Sequence, residues 1–394
     1  MAANQTPTYR ESIQIALAGM LALSIAMGIG RFSFTPILPM MQSDGTLTLT
    51  LGGWLASSNY LGYLIGGLTA RLLMSQPVLL VKAALFIIVA TTIWMGIADD
   101  YSVWLTLRLV SGAAGAWVMV GVSVLCMPRL TQTPRIASLV FTGVGCGITL
   151  TGLVCLGLFV LGMTADAAWI VTGLLAMLLG LAIWPVFSEK KFGPTTRGMT
   201  YPAARMTQQR PLTSPTPQRH ILIWCYGISG FGYIIPATFL PAQARVILGD
   251  TPLFGLAWPV FGIASAAMVF FAGLLCARWG RIRIWMIAHL VMALGVAIPT
   301  FWPGLTGIIV AALCVGGTFA AVSLIAIQHA QAVSGAEAPI MVARLTTAYA
   351  TGQILGPIFI SLLRGNISLA LWTGASALIL SAWLLSRLPQ DAPR

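Results

Sequence analysis

Charge is what this 394-residue chain has least of: Asp, Glu, Lys and Arg make up 8% of it, against 58% hydrophobic residues. A soluble domain with so few charges has too little polar surface to stay dispersed. Acids are the scarcest, nine in all, and each falls in a loop, a tail or the edge of an apolar run. No P-loop is present, which sets aside an ATP-driven pump. No ring-forming filter sequence points to a channel. The six cysteines, Cys126, Cys146, Cys155, Cys225, Cys276 and Cys314, stand singly, with neither a CxxC pair nor a His at ligand spacing. They read as small packing residues, and no metal site or cofactor is expected.

What the chain has in abundance is apolar runs long enough to cross a bilayer. They cover approximately 12–41, 50–74, 79–98, 102–127, 136–162, 167–187, 220–244, 252–276, 282–301, 304–330, 341–363 and 367–386. Lipid offers no partner to a backbone N–H or C=O, so each run must be a helix. Weak polar/apolar alternation argues against a β-barrel. The expected fold is therefore an all-α polytopic membrane protein with twelve transmembrane helices.

The net charge of +12 is a matter of topology rather than of nucleic-acid binding. Arg71, Lys82, Arg129, Arg135, Lys190, Lys191, Arg278, Arg281 and Arg283 fall in loops on one side of the spans. Arg245 and Arg364 are the exceptions, near loops where Asp44, Asp99, Asp100, Asp166 and Asp250 cluster. The positive-inside rule puts both termini in the cytoplasm. The first run leads straight into Gly28-Ile29-Gly30-Arg31 with no cleavage site, and reads as a span rather than a signal peptide. Trp94, Trp104, Trp169, Trp184, Trp224 and Trp302, near span ends, fit interfacial belts.

The long polar segment 188–219 carries Lys190, Lys191, Arg197, Arg205, Arg210 and Arg219 against Glu189, and is broken by Pro194, Pro202, Pro211, Pro215 and Pro217. It reads as a cytoplasmic linker between two six-helix bundles, 1–187 and 220–394. The halves echo each other. Gly28-Ile29-Gly30 precedes Leu38-Pro39 as Gly230-Phe231-Gly232 precedes Leu240-Pro241, and Gly66-x-Leu68-x-Ala70-Arg71 returns as Gly273-x-Leu275-x-Ala277-Arg278. A parallel repeat of six spans is the form taken by the halves of a major facilitator carrier.

The chain resembles that superfamily over nearly its whole length. The run from Gly28 to Pro39 and the seventh-span run from Gly232 to Pro241 resemble the YbfB/YjiJ-type bacterial branch. The resemblance implies two bundles around a central cavity, alternating access, a bacterial inner membrane and a monomer, but no substrate. Gly273 to Arg281 is similar to the superfamily's cytoplasmic loop motif, which implies gating roles for Arg71, Arg278, Gly280 and Arg281. Its acidic position is Ala277 here, and Ala70 in the first half, so a charge latch there must be weaker or differently built. Arg108-x-x-x-Gly112 fits the fourth-span motif. In span five, Gly143 and Gly147 resemble the start of the antiporter motif, but Ile148 replaces its proline. The fuller GxxxGP, Gly352 to Pro357, lies in span eleven.

Arg31 is the outlier within the membrane. A charge there costs about 2.5–3.5 kcal/mol on insertion scales and must face protein or water. It either offers its planar fork to a carboxylate or phosphate, or ties down carbonyls of neighbouring helices. Arg108, nearer a span end, either snorkels to that surface or, as the fourth-span motif implies, has a cavity or gating role. If both line one cavity, its field favours anions. With no acid inside a span, proton coupling falls to His289, His329 or the solute's own acid group, or else a counter-solute is exchanged. Asn59 with Tyr63, Tyr226 with Tyr233, and Tyr349 with Gln353 are spaced to share helix faces and complete the candidate substrate site. The repeat superposes Tyr233 on Arg31. Gly28, Gly30 and Pro36, with Gly232 and Pro236, are positions at which spans one and seven could bend.

The sequence thus favours a secondary carrier of a small organic solute, an organic anion if the arginines act together. A broad-specificity efflux carrier of the same fold is the alternative. From another class, Gly227-Ile228-Ser229-Gly230 fits the GxSG of rhomboid-type intramembrane serine proteases, but the repeat accounts for both glycines. A sensor or scaffold would need a signalling domain that nothing marks.

Overall fold

A computed structural model describes residues 8–192, 217–334 and 337–389. The helices are α1 (Tyr9–Leu23), α2 (Phe34–Ser43), α3 (Leu49–Leu73), α4 (Pro77–Met95), α5 (Tyr101–Cys126), α6 (Pro134–Val160), α7 (Ala165–Ile183), α8 (Glu189–Phe192), α9 (Pro217–Leu248), α10 (Ala257–Trp279), α11 (Arg281–Phe301), α12 (Leu305–Ser334), α13 (Ala338–Leu362) and α14 (Ile367–Ser386). With α1 and α2 counted as one interrupted span and α8 set aside, twelve long helices match the twelve apolar runs. Residues 193–216, the middle of the expected linker, lie outside the described residues. The start of that segment forms α8, which Arg129 fastens to the end of α5 by donating to the Phe192 carbonyl at 2.7 Å.

Ten spans are apolar enough to cross a membrane on composition alone. The other two, α3 and α13, have the length but are more polar, carrying Asn59, Tyr60 and Tyr63 or Tyr349 and Gln353. These two pack on each other across the two halves of the chain. The polarity that weakens them as lipid-facing spans is what an interior position between bundles accommodates.

An even number of spans returns the chain to the side of its N-terminus, so each helix has a terminus side and a loop side. The halves meet along three seams, α2 with α9, α3 with α13 and α6 with α10. In the last, a Cβ on Gly145 would come 2.6 Å from the Gly262 carbonyl. The hydrogen bonds joining the halves run from mid-span to the loop side. Ser57 donates to the Ile354 carbonyl at 3.0 Å, Ser361 to that of Thr50 at 2.8 Å, and Thr35 to that of Ala237 at 2.9 Å. Residues 30–41 of the first span and 232–244 of the seventh are all buried. Toward the terminus side, Gly67, Arg71 and Thr346 are exposed. The conformation is closed on the loop side, where the seam encloses a gap of only ≈ 10 Å³ lined by Pro36, Cys155, Pro241 and Phe254 among others.

The bend anticipated in span one is a break. Ser24–Ile29 is a π turn, residues 30–33 are a turn, and the helix resumes at Phe34. Pro36 brings no N–H for the Phe32 carbonyl, so the ladder cannot run through unbroken. Span seven differs: α9 is one continuous helix despite Pro236 and Pro241. The tryptophans also divide. Trp94, Trp184, Trp224 and Trp302 are exposed, as interfacial belts require, but Trp104 and Trp169 are buried at 5% and 1%. Trp104 donates to the Ala98 carbonyl at 2.7 Å, so its polar edge is satisfied by protein rather than by headgroups.

The π turn lies against α6 with no room for a side chain: a Cβ on Gly28 would stand 2.3 Å from the Gly147 Cα. Gly28→Val is expected to lower stability in detergent by about 1–3 kcal/mol. Gly67→Ala, with open space at its Cβ, should change it by no more than about 0.5 kcal/mol. Equal thermal-unfolding shifts in the two variants would refute this packing of the π turn on α6.

Candidate functional site

The break in span one frees main-chain carbonyls in the middle of the membrane, and side chains from neighbouring helices satisfy them. Arg108 of α5 donates from Nη1 to the Gly30 carbonyl at 2.9 Å and from Nη2 to the Arg31 carbonyl at 2.8 Å. Ser111, nearly one turn on, donates to the Gly30 carbonyl at 3.0 Å, and Thr151 of α6 to that of Gly28 at 3.3 Å. Asn59 of α3 donates to the carbonyl of Arg108 itself at 2.9 Å. Arg108 is 2% exposed and lies over the Phe34 and Trp169 rings. Arg108 thus does not snorkel: it ties carbonyls, the structural role that the sequence raised for Arg31.

Arg31 differs. It is 4% exposed, yet its Nε and Nη2 have no hydrogen-bond partner among the described residues. These two nitrogens form the side-on edge of the guanidinium, the edge that takes a carboxylate in two parallel hydrogen bonds. Aromatic rings surround the group: its Cζ lies 4.3 Å from the Tyr63 ring centre, 4.9 Å from that of Tyr60 and 5.4 Å from that of Phe32. Cation–π attraction steadies the charge without using its donors. The ion pairs formed among the described residues, Arg219 with Glu337 and Arg245 with Asp250, lie elsewhere.

Tyr233 is buried on α9, where Gln353 of α13 donates to its hydroxyl. Its ring stacks on Tyr349 at 5.5 Å and on Phe319 at 5.3 Å, and Tyr349 stacks on Tyr226 at 4.4 Å. The column continues from Phe319 through Phe261 and Trp258 to Phe32, beside Arg31. Rings from both halves thus connect Arg31 to the tyrosines of the second half. Tyr63 and Tyr349 are half-exposed, at the more open end of this cluster.

Of the residues singled out from sequence, Arg31, Tyr63, Tyr226, Tyr233, Tyr349 and Gln353 belong to this one aromatic assembly. Asn59 and Arg108 form a second layer that fixes its backbone. Arg71 and Arg278 are exposed at the terminus-side ends of α3 and α10. Gly280 turns the chain between α10 and α11 at φ +80°, a conformation glycine adopts without strain, and Arg281 opens α11.

One site residue escaped the sequence reading, and others named there take roles that the sequence did not show. Tyr60, one position from Asn59, shares the Arg31 face with Tyr63 and meets the Thr238 hydroxyl across the halves at 2.9 Å. The i, i+3 spacing of Tyr60 and Tyr63 was the available signal. His289, a candidate proton carrier, accepts from the Trp285 indole at 3.0 Å through Nε2. The GxSG glycines serve helix approach: a Cβ on Gly230 would stand 2.3 Å from the Tyr349 carbonyl. Arg245, the exception to the charge rule, bridges the halves on the loop side. It donates to the Pro39 carbonyl, pairs with Asp250, and lies over the Phe159 and Phe254 rings.

This helical membrane fold of two halves, which meet at an aromatic and cationic cluster near a broken span, is that of a membrane transporter of the major facilitator type. Within that class, the chain belongs to the family described as uncharacterised MFS-type transporter YbfB, whose family model matches residues 23–386. It is 24% identical over 299 residues to the uncharacterized MFS-type transporter YceJ of Bacillus subtilis (strain 168), covering 72% of each chain. In fold it is similar to the nucleoside transporter NupG, with TM-score 0.70 and 12% identity over 95% of this chain and 98% of that one. It is also similar to a bacterial homolog of the human lysosomal transporter Spinster in an inward-facing and unoccupied conformation, with TM-score 0.68 and 13% identity over 96% of both chains.

The two arginines should part in a stability measurement. Arg108→Ala strands the Arg31 carbonyl, leaves that of Gly30 to Ser111 alone, and is expected to cost about 1–3 kcal/mol. Arg31→Met removes a buried charge without a counter-ion and should leave unfolding in detergent unchanged or raise it. A large loss in both variants would mean that Arg31 is structural too. For the loop side, Arg245→Ala should increase the rate at which a maleimide labels the buried Cys155, taken relative to its labelling in the unfolded protein. An unchanged ratio would remove Arg245 from the closure.

Proposed function

We propose that this protein is a secondary carrier that moves a small organic anion across a bacterial inner membrane by alternating access. The two bundles, 1–187 and 220–394, would rock about the Arg31 cluster, joined by the linker 188–219, with both termini cytoplasmic. The observation that carries the reading is the buried Arg31 guanidinium, whose carboxylate-binding edge has no acceptor among the described residues. A charge held inside the membrane is costly until a counter-charge arrives, and a solute that brings one gains part of that cost as binding energy, less the cost of desolvating its own charge. Arg108 is the positioning residue that holds the main chain of Arg31, and Tyr233 and Gln353 orient the solute from the second half. Closure on the loop side, with exposed Gly67 and Arg71 toward the termini, supports an inward-facing arrangement. On this reading Arg71, Arg278, Gly280 and Arg281 act at the cytoplasmic gate, while Arg245 latches the opposite one.

The Trp285 hydrogen bond opposes protonation of His289 at Nε2, which leaves coupling to His329, to a solute that travels with its own proton, or to exchange for another anion. Uptake of labelled carboxylates into proteoliposomes tests the whole. Transport competed by carboxylates but not by their methyl esters, and reduced at least tenfold in Arg31→Gln, is expected. Equal competition by esters, or by neutral nucleosides of the kind named for NupG, would overturn the anion reading and favour a broad-specificity carrier.

A further inference from the structure

The shape of the Arg31 environment narrows the class of anion. We infer that the solute is an aromatic monocarboxylate, its acid seated on Nε and Nη2 of Arg31 and its ring stacked among the tyrosines. The inference rests on the anion reading above.

Donors come first. Arg31 presents one free two-donor edge, while Arg108 has both terminal nitrogens on carbonyls, so the pair offers a fork to a single carboxylate. Geometry comes second. A carboxylate bound to the Nε/Nη2 edge is coplanar with the guanidinium. In an aryl carboxylate conjugation carries that plane into the ring, so guanidinium, acid and ring form one flat body. The guanidinium already lies over the Tyr63 and Tyr60 rings at 4.3 and 4.9 Å. A flat extension of it meets the aromatic faces beside it, whereas a saturated ring or a branched chain departs from the plane at its first carbon.

The surroundings agree. Tyr226, Tyr349, Tyr233 and Phe319 already stand in near-parallel stacks, with interplanar angles of 18°, 10° and 5° along the series. Tyr349 is held between Tyr226 and Tyr233, so Tyr63, half-buried at the edge of the cluster, is the ring that an arriving one would meet.

The test is thermal stabilisation of the full chain in detergent by a matched set: benzoate and 1-naphthoate, cyclohexanecarboxylate, benzamide and uridine. Ligand that binds the native state raises its stability with concentration, so half-saturation orders the affinities. The aromatic acids are expected to half-saturate at concentrations roughly two- to tenfold lower than cyclohexanecarboxylate. Tyr63→Leu should close that gap while still binding carboxylates, and Tyr63→Phe should keep it. If cyclohexanecarboxylate matches the aromatic acids, the aromatic inference is wrong and the anion reading stands. If benzamide or uridine matches benzoate, the anion reading falls and takes the inference with it. No response to either aromatic acid would also overturn the inference.

Discussion

Everything at the centre of this protein depends on how a broken helix is tolerated inside a membrane. Lipid supplies no donors, so a break is possible only where protein side chains replace the missing amides. Arg108 does so with two charge-assisted hydrogen bonds, supported by Ser111 and Thr151. Once Arg108 has fixed the backbone at Gly30 and Arg31, the Arg31 side chain need not serve structure. It is left pointing among aromatic rings with a charge and an idle fork. One arginine stabilises the break, and the break presents the other.

The same economy appears in the pairing of the halves. Their seams are made where small residues let helices close in, as at Gly145 with Gly262, and where hydroxyls reach carbonyls across the interface. These bonds are neutral and individually modest, about 1 kcal/mol each. Such a seam closes firmly and still opens. Arg245 adds a charged element on the loop side, between the Pro39 carbonyl and the Phe159 and Phe254 rings. With Ala70 and Ala277 at the acidic positions of the cytoplasmic loop motif, the charged latch of this chain lies at the opposite end.

The spans were legible because hydrophobic length is a local property: eleven runs became single helices with ends shifted by a few residues. The break in span one was legible as Gly28, Gly30 and Pro36, but the same residue types in span seven left α9 unbroken. What differs is tertiary: the carbonyls in span one have Arg108, Ser111 and Thr151 beside them. Arg31 and the tyrosines stood out by type and spacing. The division of labour between Arg31 and Arg108 did not, because it depends on which nitrogen meets which carbonyl. Tyr60 and Arg245 were hidden for a similar reason. Their partners, Thr238 and Pro39, lie in the other half of the chain, and one sequence gives no register between halves.

The central claim is that the side-on edge of Arg31 receives the solute's acid. The most direct measurement is an experimental structure with a saturating carboxylate that stabilises the protein. The account predicts both carboxylate oxygens at hydrogen-bonding distance from Nε and Nη2 of Arg31, with Arg108 still bound to the carbonyls of Gly30 and Arg31. A carboxylate bound elsewhere, with the Arg31 fork turned onto a helix carbonyl, would contradict it.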